Sequence, residues 1–346
     1  FTEVAGELGV NNGSVPSFQA VWLDVNHDTW PDLYVVNDKA PPNALYLNQG
    51  DGTFTDISLA SGANIVLNGM TNTVGDFNHD GLLDVYVTDD GPANQLLQAS
   101  ENNTFTNVAP ALGVDNGQLC WSAQWIDWNM DSNRDLYFVT TTPVMSNQNY
   151  FFKQETNGLF TSYSQAFLFQ DEVGSHTTAK ADYDHNGYED LALGCFTQNA
   201  RLYGNSGGSN SYIRIGLEGV VSNRDGIGSW ITCYFNGQRE VEYTICGESL
   251  ISQNSHYDVF GLGSSQIIDS LMVEWPSGHI DLWVDVPANQ TLNLVEGETF
   301  QIAFEPDTFY LCNNDSFFMA LDGGDSYLWS NGTSNDSVYF SEPGNY

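Results

Sequence analysis

Short β-type runs recur along the chain, each cut off by Asp, Asn and Gly. LYVV (33–36), VYVT (85–88), LYFV (136–139) and LALG (191–194) are the most regular of them. An apolar or mixed segment precedes each, such as 18–23 or 121–126, and a third run follows, such as ALYLN (44–48) or RLY (201–203). In the first two copies a fourth run opens with FT, at Phe54 and Phe105, and Phe160 matches it in the third. Gly and Asn mark the turns between the last two runs, in NQGDG, ENN and ETNG. Four short strands per ~50 residues is the pattern of a propeller blade, so the fold class read here is all-β.

The segment before each regular run is itself a repeat. DVNHDTWPD (24–32), DFNHDGLLD (76–84), DWNMDSNRD (127–135) and DYDHNGYED (182–190) share the form D-x-[DN]-x-[DN]-x-x-x-D. Side-chain oxygens stand at positions 1, 3, 5 and 9. They belong to Asp24, Asn26, Asp28 and Asp32, then to Asp76, Asn78, Asp80 and Asp84. The third and fourth copies supply Asp127, Asn129, Asp131 and Asp135, and Asp182, Asp184, Asn186 and Asp190. The backbone carbonyl at position 7, from Trp30, Leu82, Asn133 or Tyr188, can join them. Hard oxygen donors in that number suit Ca²⁺, and the carboxylates of each loop repel one another at close range without a cation.

An EF-hand needs Glu at position 12. Here that position is Val35, Val87, Phe138 and Leu193, all inside the following strand. A shorter loop joining two strands survives, with about four Ca²⁺ in a structural role, as staples rather than Lewis acids. Position 6 favours Gly; Gly81 and Gly187 meet that, whereas Thr29 and Ser132 depart from it. His27, His79 and His185 at position 4 are expected to face solvent. Asp/Asn/Gly clusters also make ordinary turns, but near-constant spacing and the ninth-position Asp argue against chance.

The repeat resembles the FG-GAP or VCBS family, the calcium-loop blades of integrin-α-type propellers, over roughly residues 1–205. The resemblance implies a seven-bladed ring and the ligand positions named above. Only four blades fit. The opening FTEVAGELGV looks like FTDISLASGA (54–63) and FTNVAPALGV (105–114), so the chain is expected to begin at the outer strand of a preceding blade. A closed four-bladed ring is the alternative.

After the Gly/Ser-rich stretch GNSGGSNS, the segment 206–298 alternates like an antiparallel β domain, with a hairpin cue at Asn236–Gly237. SNRDGIG (222–228), FGLG (260–263) and VEWPSG (273–278) together resemble the ASPIC/UnbV domain, which follows a VCBS propeller in the cartilage acidic protein family. Asn223, Arg224, Asp225 and His256 are weighed as a ligand-contacting loop or as turn-fixing residues. The segment 299–346 resembles the start of an Ig-like or PKD-like module of bacterial surface proteins, with Cys312 paired beyond the chain and Trp329 in its core. Cys233 and Cys246 are the most plausible disulfide, across a hairpin.

Charge narrows the function classes. The 346 residues carry 44 acidic and 8 basic side chains, a net charge of −36. Too few cations remain to neutralise a phosphate backbone or to dock on anionic lipid, and no apolar stretch is long enough to span a bilayer. No nucleophile elbow, zincin, Walker or dinucleotide signature is present. The leading reading is a non-enzymatic secreted or cell-surface protein that presents a calcium-braced propeller to glycan or protein partners. The alternatives are a lyase-type polysaccharide enzyme and a structural subunit of a surface assembly or filament. For the lyase, Lys39, Lys153, Lys180, Arg134 and Arg201 are the candidate cations, and Trp30 and Tyr188 are candidate sugar-stacking rings, although covering the blade edge is the favoured reading for both.

Overall fold

The computed structural model describes residues 1–39, 41–91, 93–115, 119–141, 149–163, 174–196 and 198–299, with two short strands beyond. The chain comprises two compact units, Phe1–Glu298 and Thr299–Tyr346. The architecture is all-β. The first blade is the meander β1 (Ser17–Leu23), β2 (Asp32–Asn37), β3 (Ala44–Asn48) and β4 (Phe54–Asp56). The second is β5 (Gly69–Gly75), β6 (Asp84–Asp89), β7 (Gln95–Ser100) and β8 (Thr104–Asn107). The third is β9 (Cys120–Ile126), β10 (Asp135–Thr140), β11 (Tyr150–Gln154) and β12 (Phe160–Ser162). The fourth shows β13 (Ser175–Ala181), β14 (Asp190–Cys195) and β15 (Arg201–Tyr203) among the described residues.

Each Asp loop joins the first two strands of its blade, and its ninth-position Asp opens the second. The first strands lie side by side, β1 against β5, β5 against β9 and β9 against β13. Aromatic and branched side chains fill the seams between blades. Val21, Leu23, Val74 and Val85 close the first, Phe77, Tyr86, Trp125 and Phe138 the second, and Ile126, Tyr137, Val139 and Leu191 the third.

The FT-containing decads each fold into a helical turn ended by a left-handed Gly. α1 (Ala5–Leu8), α2 (Ser58–Ser61) and α3 (Ala109–Leu112) are capped by Gly9, Gly62 and Gly113. Gly is suited to this because a Cβ there meets the following carbonyl. Residues 1–4 pair with no strand among those described, and the helical turn repeats.

The β domain comprises β16 (Ser211–Glu218), β17 (Trp230–Phe235), β18 (Gln238–Tyr243), β19 (Tyr257–Gly263), β20 (Ile267–Glu274), β21 (Ile280–Pro287) and β22 (Gln290–Val295). One sheet runs β19-β16-β22, with β16 and β22 parallel, and the other β18-β17-β20-β21. Ile213, Ile231, Phe260, Leu271 and Trp275 fill the space between them. Asn236 and Gly237 both take positive φ, the turn that hairpin cue predicts. Cys233 and Cys246 are not bonded. Cys233 faces Glu240 across the hairpin, and Cys246 lies past the end of β18, beside Gln253. Asn223 fixes its turn by bonding Ile227 through both side-chain ends, while Arg224 and Asp225 are exposed.

Glu296 ties this domain's landmarks together. Its Oε2 accepts the backbone N–H groups of Val220, Val221 and Ser222, each at 2.7 Å, and Oε1 accepts the hydroxyls of Ser222 and Ser277. Burial pushes the carboxyl up, but these donors outweigh it and hold the pKa down at about 2. In the Thr299–Tyr346 unit, β23 (Phe317–Ala320) pairs with β24 (Ser337–Phe340) as an antiparallel hairpin. The expectations for Cys312 and Trp329 lie outside the described residues.

Two predictions follow from local geometry. Gly62 has φ +78°, and a Cβ there meets the Phe105 carbonyl oxygen at 2.9 Å, whereas Gly113 (φ +73°) faces open space. Gly113→Ala should therefore cost about 1–2 kcal/mol from backbone strain alone, and Gly62→Ala more, read as the difference in melting temperature. Glu296→Gln should destabilise by about 1–3 kcal/mol at neutral pH. Because the folded pKa lies below the ordinary 4.5, that contribution is present above pH 4.5 and lost as pH falls toward 2. Wild type and variant should converge in melts at acid pH.

Candidate metal centres

The four Asp loops adopt one conformation. Positions 4 and 6 are left-handed in every copy: His27 and Thr29, His79 and Gly81, Met130 and Ser132, His185 and Gly187. Thr29 and Ser132 take this conformation despite their Cβ, so the glycine preference at position 6 is overridden. What holds the backbone there is the first-position carboxylate. Asp24 accepts the N–H groups of Asp28 and Thr29 at 3.1 and 2.9 Å. Asp76 does the same for Asp80 and Gly81, Asp127 for Asp131 and Ser132, and Asp182 for Asn186 and Gly187.

The fifth position repeats this on a smaller scale. Asp28, Asp80, Asp131 and Asn186 accept the N–H of Trp30, Leu82, Asn133 and Tyr188, closing an Asx turn. The ninth position braces strands. Asp32 accepts Asn48 N–H at 2.7 Å, Asp84 accepts Ala99, Asp135 accepts Gln154 and Asp190 accepts Asn205. In the first two blades the same carboxylate also accepts a loop N–H, from Val25 or Phe77, and so joins the loop, the second strand and the third.

Oxygens are left over at the positions a cation would use. The side-chain oxygens of Asn26 and Asn129 (position 3) and one of Asp135 (position 9) are buried without a hydrogen-bond partner. Asp182, Asp184 and Asp190 bring carboxylate oxygens within 4.8 Å of one another. Burial, reinforced by neighbouring loop carboxylates, pushes Asp32 up to about 7, Asp76 to about 6, Asp84 to about 8 and Asp127 to about 7. It also raises Asp135 and Asp190. Hard oxygens, orphaned and short of positive charge, fit a divalent cation.

The loops do not face open solvent on every side, because the β domain packs on them. At the first, Trp230 donates its indole N–H to Asp24 at 3.1 Å and stacks on His27, which also reaches Glu274. At the second, Arg239 lies over Gly81, and Arg134 bridges the Asp76 carbonyl to Val241 and Glu242. At the third, Ser132 donates to the Gly261 carbonyl and Gly263 N–H to that of Met130. A side chain on Gly261 would overlap the Asp127 carboxylate, which explains this glycine of FGLG. At the fourth, Arg214 binds Asp182 at 2.7 Å and Tyr212 covers Gly187.

Several expected roles change accordingly. His27 and His185 keep an exposed edge but touch Trp230 and Arg214, and burial lowers His79 to about 4. His27 and His185 thus face solvent, as expected, while also touching the β domain, and His79 is partly buried. Tyr188 is buried, donating its hydroxyl to Asn210, so it is no sugar platform. Trp30 is half-exposed and lies over Gly50 at the blade edge. Of the candidate cations, Arg134 pairs with Glu242, Lys153 with Asp131 and Glu155, Lys180 with Glu189, and Lys39 with Asp38. Arg201 bonds Asn199 and Gln198.

A second contact was invisible in the sequence. The segment between β18 and β19 threads against the first strands of the blades. Gln19 donates to Gly247, Thr73 to Glu248, Ser252 to Thr178, and Gln124 exchanges two bonds with Asn254. Ser122 bonds Ser249. Beside it lies a cavity of about 40 Å³ lined by Arg134, Lys180, Glu189, Glu242, Glu248 and Asp258. Within the blades, Tyr34 with Asn43 and Tyr86 with Asn94 form matching buried pairs, each Tyr hydroxyl donating to a carbonyl at the next helical turn.

Comparison with known proteins matches these parts. An FG-GAP-like repeat model matches residues 24–87 and 76–138, and the ASPIC and UnbV model matches residues 219–300. Cartilage acidic protein 1 of Xenopus tropicalis is 26% identical over 301 residues, covering 81% of this chain and 44% of that protein. The Mus musculus protein of the same name is 25% identical over 299 residues, covering 80% and 44%. The chain thus spans less than half the length of these relatives. Among solved structures, an Agrocybe aegerita lectin described as recognising non-reducing terminal N-acetylglucosamine aligns with TM-score 0.38 and 12% identity, over 80% of this chain and 83% of the lectin. The chain thus carries FG-GAP-like repeats followed by an ASPIC/UnbV domain, with weak similarity to cartilage acidic protein 1.

Proposed function

We propose that the chain is a calcium-braced extracellular interaction module, non-enzymatic, with about four structural Ca²⁺. The observation that carries the calcium reading is the set of orphaned oxygens on Asn26, Asn129 and Asp135, at ligand positions among buried carboxylates. The ligand set of each loop is its four side chains at positions 1, 3, 5 and 9, with the position-7 carbonyls of Trp30, Leu82, Asn133 and Tyr188 completing it. Cation binding there removes repulsion between buried acids and locks the first two strands of a blade. The non-enzymatic reading is supported by the engagement of the candidate cations in local bonds rather than at an open cleft.

The partner, a glycan or another protein, is engaged away from the loops, since the β domain covers much of that face. One open surface is a cleft of about 310 Å³ on the first blade, lined in part by Asn11, Asn12, Tyr46, Asp56 and Leu59. Its amides and apolar edges suit a neutral, hydroxyl-rich ligand. The relatives' name and the high negative charge favour a location outside the cell.

Calcium removal tests the central claim. At free calcium a hundredfold above Kd, each site adds about 2.7 kcal/mol to stability. Chelation should therefore lower the melting temperature by on the order of 10 °C, with metal analysis finding about four calcium ions per chain beforehand. An unchanged melt and no bound metal would refute the reading. Turnover of a polysaccharide by the purified chain would overturn the non-enzymatic part and leave the calcium part standing.

A further inference from the structure

The four loops carry equal carboxylate sets, three each, yet their surroundings differ in charge. The first loop's leading carboxylate, Asp24, takes a neutral donor from the β domain, the Trp230 indole N–H. The fourth loop's leading carboxylate, Asp182, takes a guanidinium. Arg214 Nη1 lies 2.7 Å from Asp182 Oδ2, and the two side chains are only 5% and 1% exposed. The Arg214 guanidinium also stacks over the Tyr257 ring, at 4.6 Å from its centroid, and contacts His185. Among the described residues, no other first-position carboxylate hydrogen-bonds a side-chain cation; Arg134 bonds the Asp76 carbonyl and acts on the Asp76 and Asp127 carboxylates only from a distance. Lys153 reaches a loop carboxylate too, but on Asp131 at position 5, at 3.3 Å, and both are less buried.

We infer that Arg214 makes the fourth loop the weakest calcium site of the four, and that calcium there opposes the β domain's grip on its blade. The inference rests on the calcium reading proposed above. A buried guanidinium on Asp182 takes up negative charge that a divalent cation would otherwise use, and two cations sharing one buried carboxylate repel. Neutral donors such as Trp230 orient a ligand without that repulsion. Coupling is reciprocal: if the Arg214 contact weakens calcium at this loop by some factor, calcium weakens that contact by the same factor. The fourth loop is then the place where calcium level is converted into domain docking, while the first loop stays filled.

Calorimetric calcium titration of the full chain, stripped with chelator, tests this. The expected result is a group of tight sites and one component at least tenfold weaker. Asp184→Asn, at an exposed third-position residue, should weaken that component further and so assign it to the fourth loop. Arg214→Gln should tighten it at least tenfold, whereas Arg214→Lys, which keeps the charge, should leave it weak. Hydrogen exchange in β16 should rise only as the weak component fills. Four equivalent sites in the wild type, or a weak component unmoved by Arg214→Gln, would overturn the inference alone. Absence of any calcium binding would overturn the calcium reading and this inference together.

Discussion

Every blade depends on one arrangement: a carboxylate placed where the chain turns from the first strand to the second, satisfied by backbone N–H groups. Asp24, Asp76, Asp127 and Asp182 each gather two amide donors from their own loop. These bonds force positions 4 and 6 into the left-handed region even where the residue is Thr, Ser or His. The ninth-position Asp then carries the constraint outward to the third strand. Strand spacing in the blade is therefore set by side-chain oxygens as well as by the ladder. The cost is a set of buried acids, among them Asp32, Asp76, Asp84 and Asp127, that desolvation drives toward protonation.

The β domain answers part of that cost. Of the few basic residues in the chain, Arg134, Arg214 and Arg239 lie where it meets the loops, and Trp230 contributes a neutral donor. Glycines mark the closest approaches. Gly261 admits the Asp127 carboxylate, and Gly187 admits the Tyr212 ring. The family landmarks are thus partly interface and partly internal support, with FGLG on the third loop, and SNRDGIG and VEWPSG joined by Glu296.

The blades were legible from sequence because their cause is local and periodic. The loop motif, the following apolar run and the Gly-ended helical turn all recur at one spacing, and the I′ turn at Asn236–Gly237 needs only two residues. What was not legible is long-range and unrepeated. Asp24 and Trp230 lie 206 residues apart, and nothing in the neighbourhood of either announces the other. His27 keeps the exposure its loop position suggests; what no local pattern announces is the Trp230 ring stacked on it, or the Asn210 carbonyl that takes the Tyr188 hydroxyl. The disulfide failed on register, since Cys246 falls past the end of the hairpin that was to align it.

The segment from Gly247 to Ser255 changes what counts as a unit of this protein. Its side chains and carbonyls satisfy polar groups on the first strands of all four blades, including Gln19, Thr73, Gln124 and Thr178. Cutting at the Gly/Ser-rich linker would leave those groups facing an empty centre, at about 1–3 kcal/mol for each one left buried and unmet. Two segments that look like beads on a string are instead a lock and its key. An evolutionary shuffle of either module alone would have to bring a replacement for the other.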